Sequence, residues 1–473
     1  MENGRHSSPA RPNQADPANS APALSSQAAN PRSKLLSRVF PILGLLFIIY
    51  MLGAATMFFQ LPLSGYLTKG FMGARAWVEK HIEIAQPDVL RPAAAINIDQ
   101  PGKTFDGYTL YACASRTEPS LRVSLIDMHR NVVHSWSVSF AKIWPNPTQV
   151  LGRQVDDSGV CIFACHLYPN GDLLVVFHGI EKSTAGYGLA KVDKDSNHIW
   201  HYTARVHHDV TVGEDGTIYT VEQRSLDTPI KALEFIPPPW QVDHLVMLSP
   251  EGKLLREPIS ILEALRNSQY TTLLSPLETS LKSKEKIPVN NESARLLLMQ
   301  QDVLHTNSVN VLSKAMAPKY PDFKAGQVLL SMRTLQAMIV LDPTTGSVVW
   351  GACGPWHYQH DAQFLDNGNL LLFDNIGSPR GSRVLEYNLR TGSFPWSFPG
   401  PDNEPFSTKE RGMAQRLPNG NTLVVVSEGK EMLEVTPRKE VVWTCLANSF
   451  ITTARRYSAD QLLFLEPGQR PRP

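Results

Sequence analysis

The sequence predicts an all-β fold, a six-bladed β-propeller, carried behind a single N-terminal transmembrane helix. Three observations predict the propeller. A turn-and-strand unit recurs along the chain; the copies are followed by an apolar strand, a polar turn and, in most of them, a tryptophan; and the spacing of the copies is that of four-stranded blades.

The unit is clearest from His360 to Asn375, HDAQFLDNGNLLLFDN, where Asp366-Asn367-Gly368 joins a short strand to the apolar run Leu370 to Phe373. That pattern predicts a hairpin whose glycine takes a positive φ. His208-Asp209-Val210 runs in the same way into Glu214-Asp215-Gly216 and the strand Thr217 to Val221, with the histidine equally far ahead of its glycine. Phe163 to Val176 and Gly412 to Val426 carry the turn at Asn170-Gly171 and Asn419-Gly420 without a leading histidine. The second halves are Val123 to Trp136, Gly188 to Trp200, Leu245 to Leu255 (no tryptophan), Ala337 to Trp350, Arg383 to Trp396 and Met432 to Trp443. Leading glycines recur about every 45 to 50 residues where no insertion intervenes, and the endings count six blades. An antiparallel sandwich also alternates strands and turns, but has no reason to repeat turn and tryptophan together.

Residues 1–38 are rich in Pro, Ala, Ser, Asn and Gln and predict a disordered cytoplasmic tail. Val39 to Phe59 holds no charged residue and is long enough to cross a bilayer core. Arg32, Lys34 and Arg38 precede it, so the positive-inside bias places the N-terminus in the cytoplasm and the bulk of the chain beyond an inner membrane, in the periplasm. A cleaved signal peptide is the competing reading; the long charged tail and the length of the apolar run favour an uncleaved anchor. Residues 60–106 read as a juxtamembrane linker with a helix over Phe71 to Ile84, residues 107–466 as the propeller and 467–473 as a short tail.

An insertion over about residues 256–304 interrupts the blades. It contains an amphipathic helical stretch, Ile259 to Leu274, and a polar loop with Lys282, Lys284 and Lys286. Its polarity reads as a flap over one face or as a passive insertion. The 45 Lys and Arg against 44 Asp and Glu leave no polybasic surface for nucleic acid. No Walker motif, HExxH or paired CxxC is present, so neither ATP-dependent nor zinc-motif chemistry is indicated, and no cofactor is expected. Three histidines could still bind a metal, although the nearby Arg333 would repel a cation. The five cysteines suggest no firm disulfide: Cys161 and Cys165 lie too far apart to bridge if they share one extended strand.

In a propeller the first strand of every blade lines the central channel, so a shared repeat position becomes a ring around the axis. His208 and His360 share that position, and His305, in HTNSVNVL, begins the innermost strand of the intervening blade. Arg333 is placed in the next strand of the His305 blade, within reach of the same channel. His207 beside His208 is expected to turn to the other face by strand alternation. Trp356-His357-Tyr358 could form an aromatic rim or pack internally. A neutral imidazole is a nucleophile, a second can pass a proton and a guanidinium offers a planar fork to an oxyanion, which suits sulfuryl or phosphoryl transfer.

With HHDV at His207 to Val210, HTNS at His305 to Ser308, Arg333 beyond it and QHDAQ at Gln359 to Gln363, the chain resembles the bacterial arylsulfate sulfotransferase family over roughly Gly107 to Glu466. The resemblance implies a six-bladed propeller that moves a sulfuryl group from an aryl sulfate to a phenolic acceptor by a ping-pong route, without a nucleotide sulfate donor. It implies that His360 is the nucleophile that becomes sulfohistidine, and that His208, His305, Asn307 and Arg333 hold the sulfuryl oxygens, with His208 or His305 handling the phenol proton. The chain departs from the best-known members in carrying an anchor in place of a separate N-terminal β-domain. The alternative is a non-catalytic propeller that binds an anionic aromatic ligand or a partner protein.

Overall fold

A computed structural model of the chain describes residues 44–45, 47–49, 51–52, 98–114, 121–150, 155–180, 186–228, 239–274, 302–400 and 406–465. The chain divides into two compact units, Met1–Leu67 and Thr68–Pro473. In the first, the described residues are helical and exposed, Leu45, Phe47, Ile48, Ile49, Met51 and Leu52 among them. No helix among the described residues is long and apolar enough to cross a membrane. The rest of the expected anchor, the tail and most of the linker, with its candidate helix, lie outside the described residues.

The second unit is built of strands. In chain order they are β1 (Tyr108–Ala114), β2 (Arg122–Ile126), β3 (Val132–Ser137), β4 (Val160–Leu167), β5 (Leu173–Gly179), β6 (Gly186–Val192), β7 (His198–Tyr202) and β8 (Val206–Val212). There follow β9 (Ile218–Leu226), β10 (Trp240–Leu248), β11 (Ile259–Ser260), β12 (Thr306–Val311), β13 (Val328–Met332), β14 (Ala337–Asp342), β15 (Ser347–Cys353) and β16 (His360–Phe364). The last are β17 (Leu370–Ser378), β18 (Gly381–Tyr387), β19 (Trp396–Phe398), β20 (Met413–Arg416), β21 (Thr422–Val426), β22 (Glu431–Val435), β23 (Val441–Leu446) and β24 (Phe450–Tyr457). They form six four-stranded antiparallel sheets. Five use consecutive strands; the sixth joins β24 to β1, β2 and β3, so the last strand closes the ring as the innermost strand of the first blade. The six-bladed all-β fold is the one the repeats predict.

The repeated turns have one geometry. Gly171, Gly216, Gly368 and Gly420 all have φ between 82° and 88°, which is open to glycine at no steric cost. Each turn carries the same pair of backbone bonds, as in Leu365 N to Asn369 O and Gly368 N to Leu365 O. The tryptophans have a cause as well. Trp136 Nε1 donates to Gly171 O, Trp200 to Pro250 O and Trp396 to Pro437 O, each at 3.0 Å, and Trp443 to Met128 O at 2.8 Å. Each ring ends one blade and donates its N–H to a turn of the next, so blade contact and polar satisfaction share one residue.

The insertion differs from its reading as a polar flap. Its described part supplies β11, a two-residue outermost strand for the third blade, then helix α1 (Ile261–Arg266) and a 3-10 turn at Thr271–Leu274. Ile261, Leu262, Leu265 and Leu274 are buried in the core shared by the third and fourth blades, so the apolar face of this stretch is core. Lys282, Lys284 and Lys286 lie outside the described residues. Cys161 and Cys165 both lie in β4 as free thiols, which burial pushes up to about 12.

Candidate active site at the propeller axis

The inner strands are irregular where they meet the axis. Register shifts fall between His207 and Val210 in β8, Thr306 and Ser308 in β12, and His360 and Gln363 in β16. Such bulges re-aim side chains out of the ladder. Asp209, Ser308 and Asp361 then cap the next blade, accepting from Val309 N (3.0 Å), Ala362 N (3.1 Å) and Ala414 N (2.9 Å). The residues just before these caps, His208, Asn307 and His360, therefore share one phase. His305 sits two residues ahead of that phase and one ahead of β12. Its φ of 52° is left-handed, and its ring lies 4.6 Å from that of His208, so the two imidazoles meet in spite of the offset.

His360 is buried. Its Nδ1 donates to Asn375 Oδ1 (2.8 Å) and to Tyr358 O (2.8 Å). Asn375 cannot turn over, because its Nδ2 donates to Thr408 O and Arg411 O. The ring is thereby fixed as the Nδ1–H tautomer with its Nε2 lone pair free. Burial, with the Arg333 guanidinium second, holds the imidazole well below its ordinary value, so it is neutral at pH 7.

Arg333 belongs to the turn after β13 rather than to a strand: the Met332 to Ala337 hairpin is closed by four turn residues, and Arg333 N donates to His305 O at 3.0 Å. Its guanidinium lies 4.0 Å over the Tyr358 ring. Trp356, at the other end of the expected aromatic rim, is fully buried and donates to Gln336 O, so that part is packing. Asn307 Nδ2 donates to Gln359 O (2.7 Å), bracing the strand that presents His360. His305 Nδ1 meets Asp302 Oδ2 at 2.6 Å, and its backbone N–H donates to Asp302 Oδ1 (3.1 Å). Asp302 thus fixes both the loop and the ring.

His207 does not turn away as simple alternation requires. His208 takes a φ of 62°, which breaks the alternation, and the two Nδ1 atoms approach to 2.6 Å. Burial, followed by His305, His207, His178 and Arg411, lowers His208 well below the ordinary imidazole value. His178, on β5, stacks on Phe163 with centroids 4.5 Å apart and donates Nδ1–H to Gly179 O (2.9 Å). The axis beneath is closed by Arg411, whose guanidinium bonds Thr452 O, Phe163 O and His208 O from three blades. Beyond it along the inner strands lies a polar cavity of ≈ 330 Å³, lined by Asp209, Asn307, Asp361, Arg411 and Arg455 among others. Asp361 is paired there with Arg455 through both carboxylate oxygens.

The candidates His208, His305, His360 and Arg333 come together at one end of this channel, and Asn307, which braces Gln359, also lines the cavity beyond Arg411. Sequence reasoning missed His178, Asp243, Asp302, Asn375 and Arg411, and set His207 aside on the other face. Two signals were available: Asp302 stands three residues before His305, and Asn375 closes the repeat unit that His360 opens. Among the described residues, no three His, Cys, Asp or Glu side chains converge as a metal-binding group.

The buried imidazoles make stability depend on acid. His166 and His178 are pushed down to about 4 by burial, and His208 and His360 lie well below 6.5. Below pH 6.5 the unfolded chain binds protons at these positions and the folded one does not, so stability falls as pH drops from 6.5 toward 4. Asp209, raised by burial to about 6, acts oppositely and offsets part of this. The urea midpoint is expected to be lower at pH 5 than at pH 7, with a slope approaching about 1.4 kcal/mol per pH unit for each uncompensated histidine. Equal midpoints would contradict it.

Fold and site together define a six-bladed β-propeller with a histidine-lined axial centre. The arylsulfotransferase (ASST) family model matches residues 165–448. The chain belongs to that family, and it is accordingly an aryl sulfotransferase. A comparison with curated proteins finds no match. Among solved structures, the chain is similar to a protein of unknown function from Bacteroides caccae, with 11% identity, TM-score 0.44, and coverage of 74% of this chain and 98% of that one. It is also similar to virginiamycin B lyase from Staphylococcus aureus (9%, TM-score 0.36, 75% and 87%). The WD40 β-propeller domain of Doa1 is a third (11%, TM-score 0.37, 73% and 89%).

Proposed function

We propose that the chain transfers a sulfuryl group from an aryl sulfate ester to a phenolic acceptor by a ping-pong route through sulfohistidine at His360, with no nucleotide sulfate donor. The observation that carries this is the double anchoring of His360 Nδ1 by Asn375 and Tyr358 in a neutral ring, which leaves Nε2 as a pre-aimed nucleophile. Nε2 attacks sulfur as the bond from sulfur to the phenol oxygen breaks. The sulfated ring, still protonated at Nδ1, carries its positive charge against Asn375 Oδ1 and Tyr358 O and is a good leaving group for the second phenol. Arg333 and the Asp302-held His305 face the non-bridging oxygens, where fixed charge and N–H dipoles stabilise the transition state. Asn307 braces the nucleophile and offers its second amide N–H to the same group. The uncharged apolar run Val39 to Phe59, preceded by Arg32, Lys34 and Arg38, is the support for a membrane anchor that would hold the propeller on the periplasmic side of the inner membrane with the N-terminus in the cytoplasm.

The test is intact-protein mass after brief exposure to para-nitrophenyl sulfate, followed by peptide mapping. One added sulfuryl group on the peptide containing His360, released on adding a phenol, is expected. Turnover without an adduct on any rapidly quenched sample would refute the covalent route.

A further inference from the structure

His207 and Asp243 sit behind His208 with no role in the chemistry above. His207 Nδ1 lies 2.6 Å from His208 Nδ1, and His207 Nε2 faces Asp243 Oδ1 at 3.3 Å. Asp243 is held in turn by Thr306 N, which donates to its other oxygen at 2.7 Å. His207 and Asp243 are 1% and 0% exposed, so bulk water does not serve them. Among the described residues, His207 Nε2 and Asp243 Oδ1 are buried polar atoms without a hydrogen-bond partner, and at 3.3 Å each is the nearest group that can satisfy the other.

We propose that Asp243, His207 and His208 form a proton relay that takes the proton from the acceptor phenol, with His208 as the catalytic base and His207 and Asp243 as positioning residues that carry the charge away. A carboxylate only accepts, which puts the His207 proton on Nε2 and leaves its Nδ1 bare. His208 must then donate its Nδ1–H to His207, leaving its own Nε2 bare toward the substrate. As the phenol oxygen bonds to sulfur and the electrons of the S–N bond return to His360 Nε2, the phenol proton passes to His208 Nε2. The Nδ1 proton of His208 moves to His207, which ends doubly protonated against Asp243. The proton returns by the same route: a basic phenolate leaving in the next donor step takes it from His208 Nε2, and where the phenolate leaves unprotonated it passes from His208 Nε2 to water once the product has gone, which restores the resting tautomers.

The surroundings explain why a single imidazole does not suffice. His208 is faced by His178 from β5, His305 ahead of β12 and Arg411 ahead of β20, all able to be cationic and none anionic. A proton left on His208 would sit among them. Moved to His207, the charge lies beside Asp243, a carboxylate that also interacts with Arg205 and His244. Burial in low dielectric enlarges this difference.

The inference rests on the sulfuryl-transfer reading for the identity of the phenols, and its test is separable from that reading. His207→Phe and Asp243→Asn would be compared with wild type in the two half-reactions, each followed in a single turnover: the burst release of para-nitrophenolate without acceptor, which leaves without needing a proton, and transfer from the pre-formed adduct to unsubstituted phenol, which must lose one. The first is expected to stay within about twofold while the second falls roughly a hundredfold, the usual contribution of general base catalysis. The nitrophenolate release also reports that each variant has folded; His207→Phe leaves the Asp243 to Thr306 bond in place if the other variant does not. Equal losses in both reactions, or none in either, would overturn the relay. Failure of the covalent reading shows elsewhere, as nitrophenolate release that survives in His360→Ala. Independently of turnover, nitrogen NMR of labelled imidazoles in the resting protein is expected to find His208 protonated at Nδ1 and His207 at Nε2; the opposite tautomers would also overturn it.

Discussion

His360→Ala is expected to lower turnover of an aryl sulfate by about 10⁴-fold or more, the scale seen when the nucleophile of a covalent enzyme is removed. The loss should fall on kcat rather than on donor affinity, because Arg333, His305 and Asn307 hold their places without the His360 ring. Arg333 is tied through its backbone N–H to His305 O, His305 to Asp302, and Asn307 to the Gln359 carbonyl. The variant also leaves Asn375 Oδ1 and Tyr358 O without their donor, at a cost of about 1 to 3 kcal/mol, so its fold should be checked by thermal melting. Free imidazole added to the variant is expected to restore part of the nitrophenolate release by occupying the vacated space. A variant with near-normal kcat would show that His360 positions substrate and does not attack it.

Arg411→Met is expected to cost about 3 to 5 kcal/mol of stability, the penalty for removing a buried charge whose partners remain. Methionine approximates the stem of the side chain but offers no donor. The carbonyls of Thr452, Phe163 and His208 would each lose a bond to a charged group, and they belong to three different blades. The effect should therefore be global, seen as a lower urea midpoint with an unchanged slope. The same substitution joins the histidine end of the channel to the cavity lined by Asp209 and Asp361, so activity should fall even where the fold persists. A midpoint within about 0.5 kcal/mol of wild type would show that water replaces the guanidinium without loss.

The blades were legible because each announces itself locally. A glycine at positive φ after Asp or Asn, an apolar strand and a closing tryptophan are chemical requirements of one hairpin and one inter-blade contact, and they recur in the letters. The shared phase of His208 and His360 was legible for the same reason, since distance to the turn glycine counts residues along one strand. What escaped depended on departures from regular strands. His207 was assigned to the far face because alternation assumes extended backbone, and His208 does not have it. Arg333 was given to a strand although it opens the tight turn that follows. Asp243 acts across blades at a position that carries no repeat signal, Asn375 acts across a hairpin at the end of the unit that His360 opens, and Arg411 stands one residue before the repeat unit of its blade begins. Average polarity suggested a flap, but Ile261, Leu262 and Leu265 on one helix face, with Leu274 in the following turn, decide where Ile259 to Leu274 packs.

The closure of the first blade by β24 also sets a timetable. Thr452 and Ala112, bonded in the finished ring, are 340 positions apart in sequence. β24 supplies more than an edge: Thr452 O receives Arg411, and Arg455 holds Asp361. A nascent chain emerging in order can zip five blades as they appear, each from neighbours in sequence, yet its histidines have no floor beneath them until the final strand threads in beside the first. Contacts of such separation are slow to form. Chemistry should therefore switch on at one late step of assembly, and chains stopped short of Phe450 should accumulate blades without acquiring any turnover.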